Sequence, residues 1–145
     1  MASPRLKLAH IHLKVRDLER SVAFYTTFLG LRITERVGKA YAFLSTGDAH
    51  HEVALQQVGA GAPTPPAYAV GLYHAAFEVP DRESLVRVYD TLREAGVAVL
   101  PSDHLVSWAI YFNDPDGNGL EVFWDTRRQP TGRATWNGEN RPLRL

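Results

Sequence analysis

His10-Ile-His-Leu-Lys-Val-Arg-Asp17 and His74-Ala-Ala-Phe-Glu-Val-Pro-Asp81 carry the same pattern. In each, a His leads a Val by five positions (15−10, 79−74) and an Asp by seven (17−10, 81−74). In the first, Ala9, Ile11, Leu13 and Val15 alternate with His10, His12 and Lys14, which predicts a strand with one face on a core. Asp17 suits an N-cap, Leu18, Val22, Tyr25 and Leu29 fall at helical spacing, and Gly30 supplies the stop. The second copy repeats this with Tyr73, Ala75, Phe77 and Val79, then Asp81, then Leu85, Val88, Tyr89 and Leu92, closed by Gly96. A duplicated strand–helix unit that opens on His can present two imidazoles about a pseudo-twofold axis, which suggests a metal site.

Working outward, residues 41–45 and 51–57 are apolar enough for strands after the first helix, with turns at Gly38 and Gly47-Asp48. Strands near 97–100, 106–112 and 119–124 follow the second helix, the last two joined by the turn Asp114-Pro115-Asp116-Gly117. The expected fold is α+β: two tandem βαβββ modules, about 6–58 and 71–125, whose sheets curl around a shared cavity within a single domain of residues 1–145. The Pro- and Gly-rich stretch 59–71 reads as a surface connector. Residues 126–145 lose all periodicity, hold five arginines and read as a solvated surface tail.

The chain has no cysteine, which excludes disulfides, thiolate metal ligands, iron–sulfur clusters and a Cys nucleophile. Any metal must be held by His, carboxylate or water. Sixteen basic residues balance sixteen acidic ones, so no global charge argues for nucleic acid or an anionic membrane. The N-terminal Met-Ala-Ser-Pro-Arg-Leu-Lys lacks a signal segment's apolar core, and no apolar run reaches the roughly 18–20 residues of a membrane span. These features imply a cytoplasmic protein.

The duplicated starts, together with Asn113-Asp114-Pro115-Asp116-Gly117-Asn118-Gly119-Leu120-Glu121, resemble the vicinal oxygen chelate superfamily of glyoxalase I, bleomycin-resistance proteins and type I extradiol dioxygenases. The resemblance covers residues 8–125. The second half is most like the extradiol (catechol 2,3-dioxygenase-like) branch: His104, five residues, Ile110, Tyr111, two residues, Asp114-Pro115, then Gly117 and Glu121. Ser102 departs from that pattern, which prefers Gly, Asn, Thr or an aliphatic there. His51-Glu52-Val53-Ala54-Leu55 also resembles a stretch of that branch.

The resemblance implies His10, His74 and Glu121 as metal ligands. Two imidazoles and a carboxylate on one face of an octahedral ion leave three positions open, the arrangement of non-haem Fe(II) oxygenases. It further implies His51 as the acid–base residue, with His104 and Tyr111 hydrogen-bonding the substrate. Loop histidines and a core tyrosine are the plain alternatives. His12 and His50 have no matched role and read as structural or surface residues. Glyoxalase I uses a Glu on the equivalent strand, and Glu52 stands there; neighbours on a strand face opposite ways, so only one of His51 and Glu52 can face the metal, and parity does not choose. The implied activity is an extradiol dioxygenase of aromatic catabolism that cleaves a catechol-type ring beside its hydroxyls, with Fe(II) or Mn(II), O₂ and an aromatic diol as partners. The alternatives are a glyoxalase- or isomerase-like lyase using Ni(II) or Zn(II), or a metal-independent binding protein. A homodimer is expected by the same resemblance. Trp108, Phe123 and Trp124 are open as cavity walls.

Overall fold

The computed structural model describes residues 4–145; residues 1–3, part of the N-terminal stretch considered above, lie outside the described residues. The element order is β1 (Ile11–Val15), α1 (Leu18–Leu29), β2 (Arg32–Val37), β3 (Tyr41–Ser45), β4 (Val53–Gln57), β5 (Ala75–Val79), α2 (Arg82–Glu94), β6 (Leu100–Asp103), β7 (Ser107–Asn113), β8 (Gly119–Asp125) and β9 (Arg141–Pro142). The chain divides into two compact units, Met1–Pro63 and Thr64–Leu145.

Unit 1 is a four-stranded sheet in the order β1-β4-β3-β2. β1 runs parallel to β4, and the other pairs are antiparallel. The parallel pair needs a crossover, which α1 provides. Asp17 caps that helix by accepting the Arg20 N–H at 2.9 Å, and Gly30 ends it at φ +65, a left-handed conformation that costs a side chain-bearing residue free energy. Leu18, Val22 and Tyr25 of α1 are buried with Leu13, Val15, Leu44, Val53 and Leu55 of the sheet. The alternation read from β1 holds: Leu13 and Val15 are buried while His12 and Lys14 are exposed.

Unit 2 repeats the plan as β5-β8-β7-β6 and adds β9 at the β6 edge. β5 and β8 are parallel, joined across α2, whose N-cap Asp81 accepts the Ser84 N–H at 2.7 Å. Leu85 and Leu92 are fully buried, as are Ile110, Leu120 and Val122 of the sheet. The Asp114–Gly117 turn closes as expected, with the Gly117 N–H donating to the Asp114 carbonyl at 3.0 Å and the buried Asp114 carboxylate accepting the N–H groups of Asp116 and Asn118.

Three details depart from the sequence reading. The strand between α1 and β3 is Arg32–Val37, whose residues are exposed or half-buried, so no apolar stripe marks it. β6 spans Leu100–Asp103, later than the 97–100 expected, because the pairing with β7 begins only at Leu100 opposite Tyr111. The C-terminal segment is not simply a solvated tail: Arg141 and Pro142 pair with Asp103 and Ser102, and the Arg133 N–H donates to the Leu105 carbonyl at 2.7 Å.

Candidate functional site

In unit 2 the face of the sheet opposite α2 gathers four of the expected site residues. Glu121 lies on central β8, directly across from Tyr111 on β7. His74 immediately precedes β5, so the parallel β5–β8 pairing sets it beside Glu121, and His74 Nε2 is 2.9 Å from Glu121 Oε2. The Tyr111 hydroxyl donates to Glu121 Oε1 at 3.3 Å and lies 2.7 Å from His104 Nε2. A phenol has one proton. It can serve Glu121 Oε1 or, at the shorter contact, His104 Nε2, but not both at once. Burial and the adjacent Glu121 carboxylate both push the Tyr111 pKa up, so the hydroxyl stays protonated and remains a donor.

His104 sits in the β6–β7 turn, fixed by its N–H donating to the Ser107 carbonyl at 2.9 Å. The next residue, Leu105, is buried at φ +67, the one non-glycine at positive φ among the described residues. Such a position carries about 1–3 kcal/mol of strain and persists only where its surroundings fix it. Here the Asp103 carboxylate accepts the Leu105 N–H, and the Arg133 N–H holds its carbonyl. The C-terminal segment thus pins the turn that carries His104. It also supplies Asn140, whose Oδ1 hydrogen-bonds His104 Nδ1, and Trp136, whose ring meets that of His104 edge-on at 6.1 Å. Nothing periodic in residues 126–145 signals these contacts, since Asn140 is 36 residues from its partner.

A cavity of about 920 Å³ opens on this group, lined by His74, His104, Tyr111 and Glu121 with apolar walls that include Phe112 and Trp136. Its size is within the range of small-molecule sites. Trp108, Phe123 and Trp124 do not line it; Trp108 packs edge-on against Trp124 at 5.5 Å beneath the Arg82 guanidinium.

In unit 1 the corresponding group is made of histidines. The ring of His10, just before β1, lies 4.6 Å from that of His51. Glu52 turns elsewhere: its carboxylate accepts the Thr46 N–H at 2.9 Å. Burial opposes its ionisation, yet hydrogen bonds from Thr46 and Ser45 together hold its pKa below the ordinary carboxylate value. The local backbone explains the choice. In the β1–β4 register Ile11 pairs with Val53, so regular alternation would set Glu52 beside His10. The chain bends at Glu52, before β4 starts at Val53, and His51 takes that place. Burial and the imidazoles of His10 and His50 push the His51 pKa down.

His50 is more than a surface residue. Its Nδ1 is 2.7 Å from His51 Nδ1 and its Nε2 is 2.9 Å from Glu35 Oε2. His12 remains exposed, its ring 6.2 Å from that of Tyr41.

Among the described residues, no group of three or more His, Asp or Glu side chains stands at metal-binding spacing. Unit 2 holds the pair His74 and Glu121, and unit 1 holds His10. The pair itself fits a divalent ion. Adjacent ligands of an octahedral ion lie about 3 Å apart when each bond is about 2.1 Å, and the 2.9 Å separation of His74 Nε2 and Glu121 Oε2 matches. His74 Nδ1, the ring nitrogen turned away from Glu121, is buried without a hydrogen-bond partner, so an ion at Nε2 would not satisfy it.

Known proteins agree with this architecture. Residues 7–122 match the Glyoxalase/Bleomycin resistance protein/Dioxygenase superfamily, and the chain belongs to that superfamily. It is 33% identical over 129 residues to a catechol-2,3-dioxygenase of Bacillus subtilis (89% of this chain, 43% of that protein). It is 35% identical over 126 residues to biphenyl-2,3-diol 1,2-dioxygenase 3 of Rhodococcus globerulus (86% of this chain, 66% of that protein). The chain therefore spans about two fifths to two thirds of these relatives' length. A glutathione transferase FosA of Serratia marcescens is 34% identical over 115 residues (79% of this chain, 78% of that protein). Among solved structures, a glyoxylase/bleomycin resistance protein/dioxygenase domain from Frankia sp. EAN1pec superposes with a TM-score of 0.70 at 26% identity, covering 84% of this chain and 99% of that one. Among the described residues no helix is long and apolar enough to cross a membrane.

Proposed function

We propose that this chain is an Fe(II)-dependent extradiol dioxygenase that opens a catechol-type ring beside its vicinal hydroxyls, with His10, His74 and Glu121 as metal ligands. The single observation that carries this reading is the hydrogen-bonded run His104–Tyr111–Glu121–His74 facing one cavity. A diol ring needs donors and acceptors beside the metal pair, and a lyase acting through a Glu52 ligand has no use for that His and Tyr. The dioxygenase relatives support it.

When bound, the iron would supply the electronic coupling between the diol and O₂. The protein's residues do the rest. His51, held neutral by its surroundings, accepts a proton from a substrate hydroxyl and returns one as the ring opens. His104 and Tyr111, 2.7 Å apart, hydrogen-bond the substrate oxygens and hold the ring, the phenol turning its single proton from Glu121 to the substrate. The apolar walls around Phe112 and Trp136 take the ring edge and exclude water.

The division of labour predicts separable losses. His74→Ala should purify without stoichiometric iron and fail to regain it. His51→Ala should bind iron like the parent while turnover falls on the order of 10²–10⁴-fold, as expected for a missing acid–base group. Iron content by elemental analysis beside turnover decides it: a normally active His51→Ala would remove His51 from the chemistry. A second reading, a metal-dependent lyase or transferase, draws on the FosA relative. It predicts thiol addition or hemithioacetal turnover with Mn(II), Ni(II) or Zn(II) and no O₂ uptake.

A further inference from the structure

Resting on the acid–base role proposed for His51, we infer that Glu35 and His50 are positioning residues that fix which nitrogen of His51 carries the proton. Glu35 Oε2 is 2.9 Å from His50 Nε2, and His50 Nδ1 is 2.7 Å from His51 Nδ1. A carboxylate only accepts, so His50 Nε2 bears the hydrogen. With His50 uncharged, its Nδ1 is an acceptor, and His51 then donates from its own Nδ1. That leaves the lone pair on His51 Nε2, which has no hydrogen-bond partner among the described residues and is the atom free to take a substrate proton.

The sheet is built to allow this. The β2–β3 register steps from Ile33 opposite Leu44 to Glu35 opposite Phe43, so Thr34 is an extra, bulged residue. Without the bulge Thr34 would face Phe43, and Glu35 would fall on the opposite face with Ala42, which is fully buried. A bulge of this kind re-aims a side chain. It sets Glu35 on the face of Phe43, whose ring lies 5.0 Å from His51 and 5.8 Å from His50, so the same aromatic platform orients both imidazoles. The Thr34 hydroxyl donates to the Phe43 carbonyl at 3.1 Å and steadies the bulge. Burial does not explain the arrangement, because Glu35 and His50 are both more than half exposed.

The test reads the tautomer directly. The 145-residue chain, labelled with ¹⁵N-histidine and stripped of metal, is examined by long-range ¹H–¹⁵N correlation on the alkaline side of the imidazole range, with His51 assigned from a His51→Gln spectrum. Wild type should show His51 protonated at Nδ1. Glu35→Gln, whose amide can donate as well as accept, should shift His51 toward the Nε2–H form, and Glu35→Asp should restore Nδ1–H. In the iron-loaded enzyme Glu35→Gln should lower kcat about 10–100-fold, the usual effect of removing an outer partner, with KM and iron content unchanged. His51 protonated at Nε2 in wild type, or a tautomer unmoved by Glu35→Gln, would overturn the inference while leaving ring cleavage standing. Absence of ring cleavage with the Nδ1–H tautomer intact would instead remove the dioxygenase reading and keep the relay.

Discussion

The bend at Glu52 decides which of two adjacent side chains meets His10. Alternation extrapolated from β4 chooses Glu52, but alternation applies only inside a strand, and β4 starts one residue later. The candidate His residues could therefore be found from their spacing, whereas the choice between His51 and Glu52 could not. Glu52 instead serves the loop between β3 and β4, and that role has a pH signature. Its folded pKa is lowered from 4.5. Between the folded and unfolded values the unfolded chain holds more protons, so stability rises with pH. The contribution is complete above the unfolded value and disappears as pH falls through the folded one. Glu52→Gln should therefore be less stable than wild type near neutrality, with the gap closing in acid. Urea unfolding at neutral pH and below the carboxylate range measures this; a gap that persists in acid would mean the carboxylate's charge is not what braces the loop.

Among the elements, β8 carries the most constraint because it must hold Glu121 beside His74 while packing against β5. Its first residue, Gly119, lies so close to β5's approach that an added Cβ would sit 2.2 Å from the Tyr73 carbonyl oxygen. No side-chain end can yield there, since the obstacle is backbone. Gly119→Ala should cost about 1–3 kcal/mol and push Tyr73 and His74 away from Glu121, weakening metal retention along with stability. Unfolding and metal titration on the same preparation check it; wild-type values for both would mean that the β5–β8 approach does not position the pair. Both helices were legible from caps and spacing, because Asp17, Asp81 and the apolar positions act locally. β2 was not, because the bulge at Thr34 breaks its period and few of its side chains are buried. β9 was not, because two residues held by Ser102 and Asp103 leave no pattern of their own.

At the scale of the whole chain, the two units share one strand order, and the repeated His-to-Asp spacing is its trace in the sequence. What distinguishes them is chemistry. Unit 1 places His51 and its Glu35–His50 partners against His10, while unit 2 places His104, Tyr111 and the C-terminal Asn140 and Trp136 around Glu121 and His74. A repeat alone implies only paired imidazoles; the unequal surroundings are what support ring cleavage over symmetric lyase chemistry. The most direct test is to load the protein anaerobically with Fe(II), add a panel of mono- and bicyclic catechols, and admit O₂ while recording oxygen uptake and visible absorbance. Ring cleavage predicts one O₂ consumed per diol and a yellow ring-opened product. Iron-loaded protein that consumes no O₂ and forms no such product across the panel would contradict it.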